Sequence, residues 1–128
     1  AALQLGAETT FAVDTDSLAI SATKINSDLN DVPEDLLNVF LGSIGEVEAN
    51  MPEKKIDLIL CNILAPVIKS LGPSFEKIIS NRGKLILSGL LVEQIKELQE
   101  FFFSLGWQVL EIKTKEPWAL LVLSQNLP

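Results

Sequence analysis

The sequence predicts an α/β fold: a mostly parallel sheet interleaved with helices, ending in an antiparallel hairpin. Three observations predict it. Residues 56–64 read Ile-Asp-Leu-Ile-Leu-Cys-Asn-Ile-Leu, an aliphatic run too short for a membrane span and followed closely by Pro66. Such a run reads as a strand buried on both faces of a parallel sheet. Strand-like runs alternate with stretches of helical periodicity, the pattern of βαβ units. The last two strand-like runs, residues 107–113 and 118–123, are linked only by Thr114-Lys115-Glu116-Pro117. A parallel pair needs a crossover of about a dozen residues or more, so this pair is antiparallel.

Composition bounds the rest. With 128 residues, 48% hydrophobic and 21% charged, the chain is long and apolar enough for one domain with a core. No segment approaches the roughly 20 apolar residues of a membrane span. The first residues show neither the basic region nor the cleavage site of a secretory signal. Cys61 is the only cysteine, which rules out an intrachain disulfide and fits a reducing compartment. The net charge of −7 argues against non-specific nucleic-acid binding and suits a basic partner. Histidine is absent, which excludes serine–histidine chemistry. One cysteine without histidine cannot assemble a zinc site, and no metal is expected. The chemistry is left to a bound cofactor, or to a few carboxylates and amides.

The elements follow in chain order. Ala1-Ala2-Leu3-Gln4-Leu5-Gly6 reads as the last turns of a helix stopped by Gly6, so the chain is expected to begin inside an element. Residues 9–13 alternate and are β-branched, a strand that runs into Asp14-Thr15-Asp16. Asp16 or Ser17 caps a helix to about Ser27, with Leu18, Ala19, Ala22 and Ile25 on one face. Asn30-Asp31-Val32-Pro33 is a turn, residues 38–41 a short strand, and residues 42–55 mostly loop with room for a helical turn. After the central strand, residues 65–80 are helical, with a break expected at Gly72-Pro73. Asn81-Arg82-Gly83 reads as a turn, residues 84–89 as a second buried strand, and residues 92–105 as a helix ended by Gly106. Phe101, Phe102 and Phe103 cannot all face one side of that helix.

Three strand ends carry the candidate chemistry. Val13-Asp14-Thr15-Asp16 is a strand ending in acid. A carboxylate there accepts hydrogen bonds from both hydroxyls of a ribose; alternatively both aspartates cap the next helix. The expected division is Asp16 for the cap and Asp14 for the ribose. The glycine-rich loop that accompanies such an acid lies about 20 residues before it. Only thirteen residues precede Asp14 here, and they hold one glycine, so that loop and its strand are expected upstream. Asn62 ends the central strand, where ligands bind in open α/β sheets. Its amide offers both donor and acceptor, or it simply satisfies its own turn. Leu87-Ser88-Gly89 ends the next strand, and Gly89 permits a close backbone approach or a sharp exit. Trp118 either lines a pocket or anchors the hairpin. Cys61 reads as a small inert hydrophobe.

Together these pieces resemble one family. Leu5-Gly6-Ala7, Val13-Asp14-Thr15-Asp16, Ala22-Thr23 with Asn26 and Asn30, Asp57-Leu58-Ile59-Leu60-Cys61-Asn62-Ile63-Leu64-Ala65, Leu85-Ile86-Leu87-Ser88-Gly89-Leu90-Leu91 and Trp118 are similar to PrmA, the ribosomal-protein methyltransferases. The resemblance covers nearly the whole chain, and its Asn-Ile-Leu-Ala and Leu-Ser-Gly-Leu-Leu pieces are the most specific. It departs from the family at Ser17, at Asn81-Arg82-Gly83 and at Pro117, all in turns. It implies a Rossmann-like class I S-adenosylmethionine-dependent methyltransferase fold, here lacking the first strand and the Gly-rich loop. The implied cofactor is S-adenosylmethionine. The implied substrate is the large-subunit ribosomal protein L-eleven, methylated on lysine side chains and its N-terminal amine in the cytoplasm. By match, Asp14 binds the cofactor ribose, and Asn62 sits at the cofactor beside the incoming amine as the catalytic residue. On this reading residues 1–128 are an N-terminally incomplete methyltransferase domain, inactive by itself. Two alternatives stay open: a methyltransferase of this fold acting on another amine, amide or small molecule, and a non-catalytic Rossmann-like module.

Overall fold

The computed structural model describes residues 1–51, 53 and 55–126. They form two compact units, Ala1–Met51 and Pro52–Pro128, each with its own sheet.

In the first unit a short 3₁₀ helix, Leu3–Leu5, replaces the expected α-helical turns. Gly6 stops it in the left-handed region at φ 103°, and its N–H donates to the Leu3 carbonyl at 3.1 Å. Strand β1 (Thr10–Asp14), helix α1 (Ser17–Leu29), a 3₁₀ turn (Glu34–Leu36), strand β2 (Leu37–Leu41) and helix α2 (Ile44–Asn50) follow. β1 and β2 pair in parallel, from Thr10 opposite Leu37 to Asp14 opposite Leu41, with α1 as the crossover. Phe11 and Phe40 stack with centroids 6.5 Å apart. Asp16 caps α1 by accepting the Leu18 N–H at 2.8 Å. The apolar stripe of α1 is not buried: Leu18, Ile25 and Leu29 are 76%, 58% and 75% exposed. The expected loop over 42–55 holds α2; residues 52 and 54 lie outside the described residues.

The second unit contains strand β3 (Ile56–Asn62), helix α3 (Ala65–Ile78), strand β4 (Ile79–Leu91), a 3₁₀ turn (Val92–Gln94), helix α4 (Ile95–Ser104), and strands β5 (Trp107–Lys115) and β6 (Trp118–Gln125). Its sheet runs β3-β4-β6-β5. β3 and β4 are parallel; β6 is antiparallel to both β4 and β5, so the expected hairpin forms. α3 and α4 pack on each other and against this sheet. The core between them holds Ile68, Phe75, Leu98 and Phe102 from the helices and Leu85, Leu87, Leu121 and Leu123 from the strands. Phe102 meets Trp107 edge-on at 6.1 Å and Phe75 at 6.3 Å. The three phenylalanines divide as helical geometry requires: Phe102 buried, Phe101 beside it, Phe103 exposed.

Local readings differ from the sequence expectation at three places. α3 passes through Gly72-Pro73 without a break. Pro73 lies on the exposed side, while Ile68, Gly72, Phe75 and Ile78 recur on the buried side and hold the helix across it. Gly72 sits under Phe101, whose Cε1 would lie 2.6 Å from a Cβ there. Asn81-Arg82-Gly83 is not a turn between elements but part of β4. The chain there bulges: the pairing steps from Ile56–Ile79 to Leu58–Lys84, so β4 spends extra residues opposite Asp57. Ser80 donates to Asp57 Oδ1 at 2.9 Å beside the bulge. Finally, β3 is an edge strand and is not buried on both faces, since Leu58 and Leu60 are 47% and 63% exposed.

Candidate functional site

In the first unit, β1 ends at Asp14, whose side chain is exposed. One carboxylate oxygen, Oδ1, accepts the Asp16 N–H at 2.9 Å. Oδ2 has no hydrogen-bond partner among the described residues. Asp16 spends its own carboxylate on the helix cap. Asp16 therefore forms the expected helix cap, while Asp14 gives one oxygen to the same turn and keeps the other free as an acceptor among the described residues.

In the second unit, Asn62 is the last residue of β3 and is exposed. The parallel register sets it opposite Ser88 of β4. β4 bulges at this level. Between the Leu87–Leu121 and Leu90–Ala119 pairs, Ser88 and Gly89 face a single residue of β6, Leu120. Gly89 adopts φ +69°, the left-handed conformation that glycine tolerates best. The Asn62 carboxamide lies against it; a Cβ at 89 would collide with Asn62 Oδ1 and lie 3.2 Å from Cγ. Among the described residues the Asn62 side chain makes no hydrogen bond. Asn62, Ile63, Leu64, Gly89 and Trp118 line one open recess of about 570 Å³, a size that accommodates a small-molecule ligand. Trp118, 55% exposed, begins β6 and pairs with Leu91, so it flanks the recess and does not anchor the core.

Cys61 is not part of this chemistry. Burial pushes its thiol up to about 11, because desolvation penalises the thiolate. At neutral pH it stays protonated and is no nucleophile.

The structure thus brings Asn62, Gly89 and Trp118 together, and joins Asp14 to Asp16. Asp14 and Asn62 belong to different units. The contact between Gly89 and Asn62 was missed by the sequence reading, which allowed Gly89 a close approach but could not name what approaches. Ile63 and Leu64 belong to the Asn-Ile-Leu-Ala piece of the resemblance, but no lining role follows from the sequence for either. The one available signal is that the sequence puts Asn62 and Ser88-Gly89 at strand ends; in the structure Asn62 does end β3, but β4 continues past Gly89 to Leu91, because pairing with β6 carries it through the bulge.

Comparison with known proteins follows the same residues. Residues 1–126 match the family model for "Ribosomal protein L11 methyltransferase (PrmA)". A ribosomal protein L11 methyltransferase of Parasynechococcus marenigrum is 46% identical over 126 residues, covering 98% of this chain and 44% of that protein. The crystal structure of a ribosomal protein L11 methylase from Lactobacillus delbrueckii subsp. bulgaricus superimposes with TM-score 0.87 at 25% identity, covering 98% of this chain and 62% of that one. A methyltransferase structure complexed with SAH shares the fold at TM-score 0.73 and 14% identity, covering 95% of this chain and 40% of that one. The chain spans less than half the length of the curated relatives it matches. Its sequence along residues 1–126, and the Rossmann-like methyltransferase fold those residues adopt, place this chain in the ribosomal protein L11 methyltransferase (PrmA) family.

Proposed function

We propose that this chain is part of an enzyme that moves methyl groups from S-adenosylmethionine to amino groups of ribosomal protein L11, on lysine side chains and the N-terminal amine, in the cytoplasm. The observation that carries the proposal is the family match across residues 1–126. Each strand end, taken by itself, offers groups suited to one part of the cofactor. When bound, S-adenosylmethionine supplies an electrophilic methyl group on a sulfonium. Asp14 offers the ribose hydroxyls an exposed carboxylate, restrained by the Asp16 N–H at one oxygen. Asn62 offers a free carboxamide at a strand end, in a recess large enough for a ligand.

The rest of the chemistry belongs to the chain's own side chains. The Asn62 Oδ1 would accept an N–H of the incoming amine, and its Nδ2 would remain available as a donor to the cofactor. Alignment of amine and methyl is the main source of rate in such a transfer. Trp118, Ile63 and Leu64 present apolar surface around that point. Apolar surroundings disfavour an ammonium, so a lysine entering the recess would lose its proton to solvent water more readily and expose the lone pair. The net charge of −7 favours approach of a basic target.

The proposal extends to domain organisation. Among the described residues β3 pairs on one side only, with β4, so it has an open edge, and its exposed Leu58 and Leu60 leave one face uncovered. No Gly-x-Gly occurs anywhere in the sequence. On this reading the glycine-rich loop that would support the methionine end of the cofactor is supplied by chain outside these residues. The 128 residues alone are expected to bind S-adenosylmethionine negligibly and to transfer no methyl groups. Calorimetric titration of this segment should give no binding heat, and micromolar affinity would contradict the expectation.

The function itself is tested in cells. Mass spectrometry of L11 should show methylated protein when the gene is present and unmethylated protein when it is disrupted, with methylation restored by complementation. L11 carrying the same mass in all three strains would overturn the proposal.

A further inference from the structure

Asn62 presents an unusual combination. Its carboxamide has no hydrogen-bond partner among the described residues, yet it lies against Gly89 so closely that a Cβ there would strike Oδ1 and sit 3.2 Å from Cγ and 3.8 Å from Nδ2. An exposed asparagine ordinarily has freedom about its side-chain torsions. Here one direction is closed by the Gly89 backbone. Two features of β4 bring that backbone into place. The bulge at Ser88-Gly89 gives β4 one more residue than β6 between the flanking pairs, and the left-handed φ of +69° turns the chain at Gly89. Bulges next to sites commonly re-aim a side chain. In this case the re-aimed side chain is on the neighbouring strand.

A hydrogen bond would also fix the amide, but it would use the donor or the acceptor that a ligand needs. Packing against a bare Cα restrains the amide on one side without taking up its donor or its acceptor in a hydrogen bond. We propose that Gly89 is a positioning residue for the Asn62 carboxamide, acting as the seat that holds it toward the recess it shares with Trp118. The inference rests on the proposed role of Asn62 and goes beyond it. It says that the glycine is required for the position of a second side chain, and not only for its own torsion.

The test is a double-mutant cycle in the complete enzyme, read by kinetics and by NMR of the Asn62 side-chain amide. Gly89→Ala is expected to lower kcat about ten-fold or more with a KM change below about three-fold, since a displaced reacting group costs rate more than binding. The Asn62 amide resonances, assigned by their loss in Asn62→Ala, should shift. In the Asn62→Ala background the same Gly89→Ala change should cost less than about two-fold, because the side chain it displaces is gone. Equal losses in both backgrounds would mean that only backbone strain matters and would overturn the proposal, as would wild-type kcat in Gly89→Ala. If Gly89→Ala does not fold, recovery of folded protein in the double variant supports the seat, and failure to recover overturns it. Wild-type turnover in Asn62→Ala would remove Asn62 from the site and the seat with it. A large loss there together with an uncoupled Gly89 effect would overturn the seat alone.

Discussion

Asn62→Ala in the complete enzyme is expected to cut methyl transfer by about 10²-fold or more while leaving the fold intact. The rate effect follows from alignment: a reactant misplaced by about an ångström can lose that much. The fold is expected to survive because the side chain is exposed and makes no hydrogen bond among the described residues. Substitutions of that type change stability by about 0.5 kcal/mol or less. Single-turnover kinetics alongside thermal unfolding separates the two. Near-wild-type turnover would remove Asn62 from the site, and a large drop in melting temperature would make it a structural residue.

Asp14→Ala is expected to act on binding. Losing hydrogen bonds to a charged acceptor should weaken S-adenosylmethionine by about 1.5–3 kcal/mol, roughly ten- to a hundred-fold in Kd. Turnover at saturating cofactor should change little, since the ribose is remote from the reacting bond. Asp16→Ala is the matched control. It removes a helix cap, worth about 1 kcal/mol of stability, and leaves the carboxylate of Asp14 in place. Calorimetry of both variants decides: equal losses of affinity would mean that the acidic pair acts only through the helix it caps.

Much of this was legible in the sequence because the signals are local. The aliphatic run at 56–62, the acid ending β1 and the four-residue link before Trp118 each determine an element or a direction of pairing without knowledge of the rest. The Asp16 cap is local too, made between residues two apart. The misreadings were long-range. Pro73 argues for a helix break locally, but burial of Ile68, Phe75 and Ile78 outweighs it. Gly83 argues for a turn, and the pairing of β3 with β4 accommodates it as a bulge. The contact of Gly89 with Asn62 joins residues of adjacent strands and depends on the register between them, which no pattern within either strand encodes. The exposed stripe of α1 shows the limit of periodicity, which predicts an apolar face but not what covers it.

The central claim is methyl transfer to an amino group of L11, and the most direct measurement uses purified components. The complete enzyme is incubated with S-adenosylmethionine carrying a labelled methyl group and with unmethylated L11, and labelled residues are located by mass spectrometry of the digested protein. The account predicts label on lysine side chains or the N-terminal amine of L11, with transfer reduced about 10²-fold by Asn62→Ala. Label absent from L11, or transferred equally well by the Asn62 variant, would contradict it.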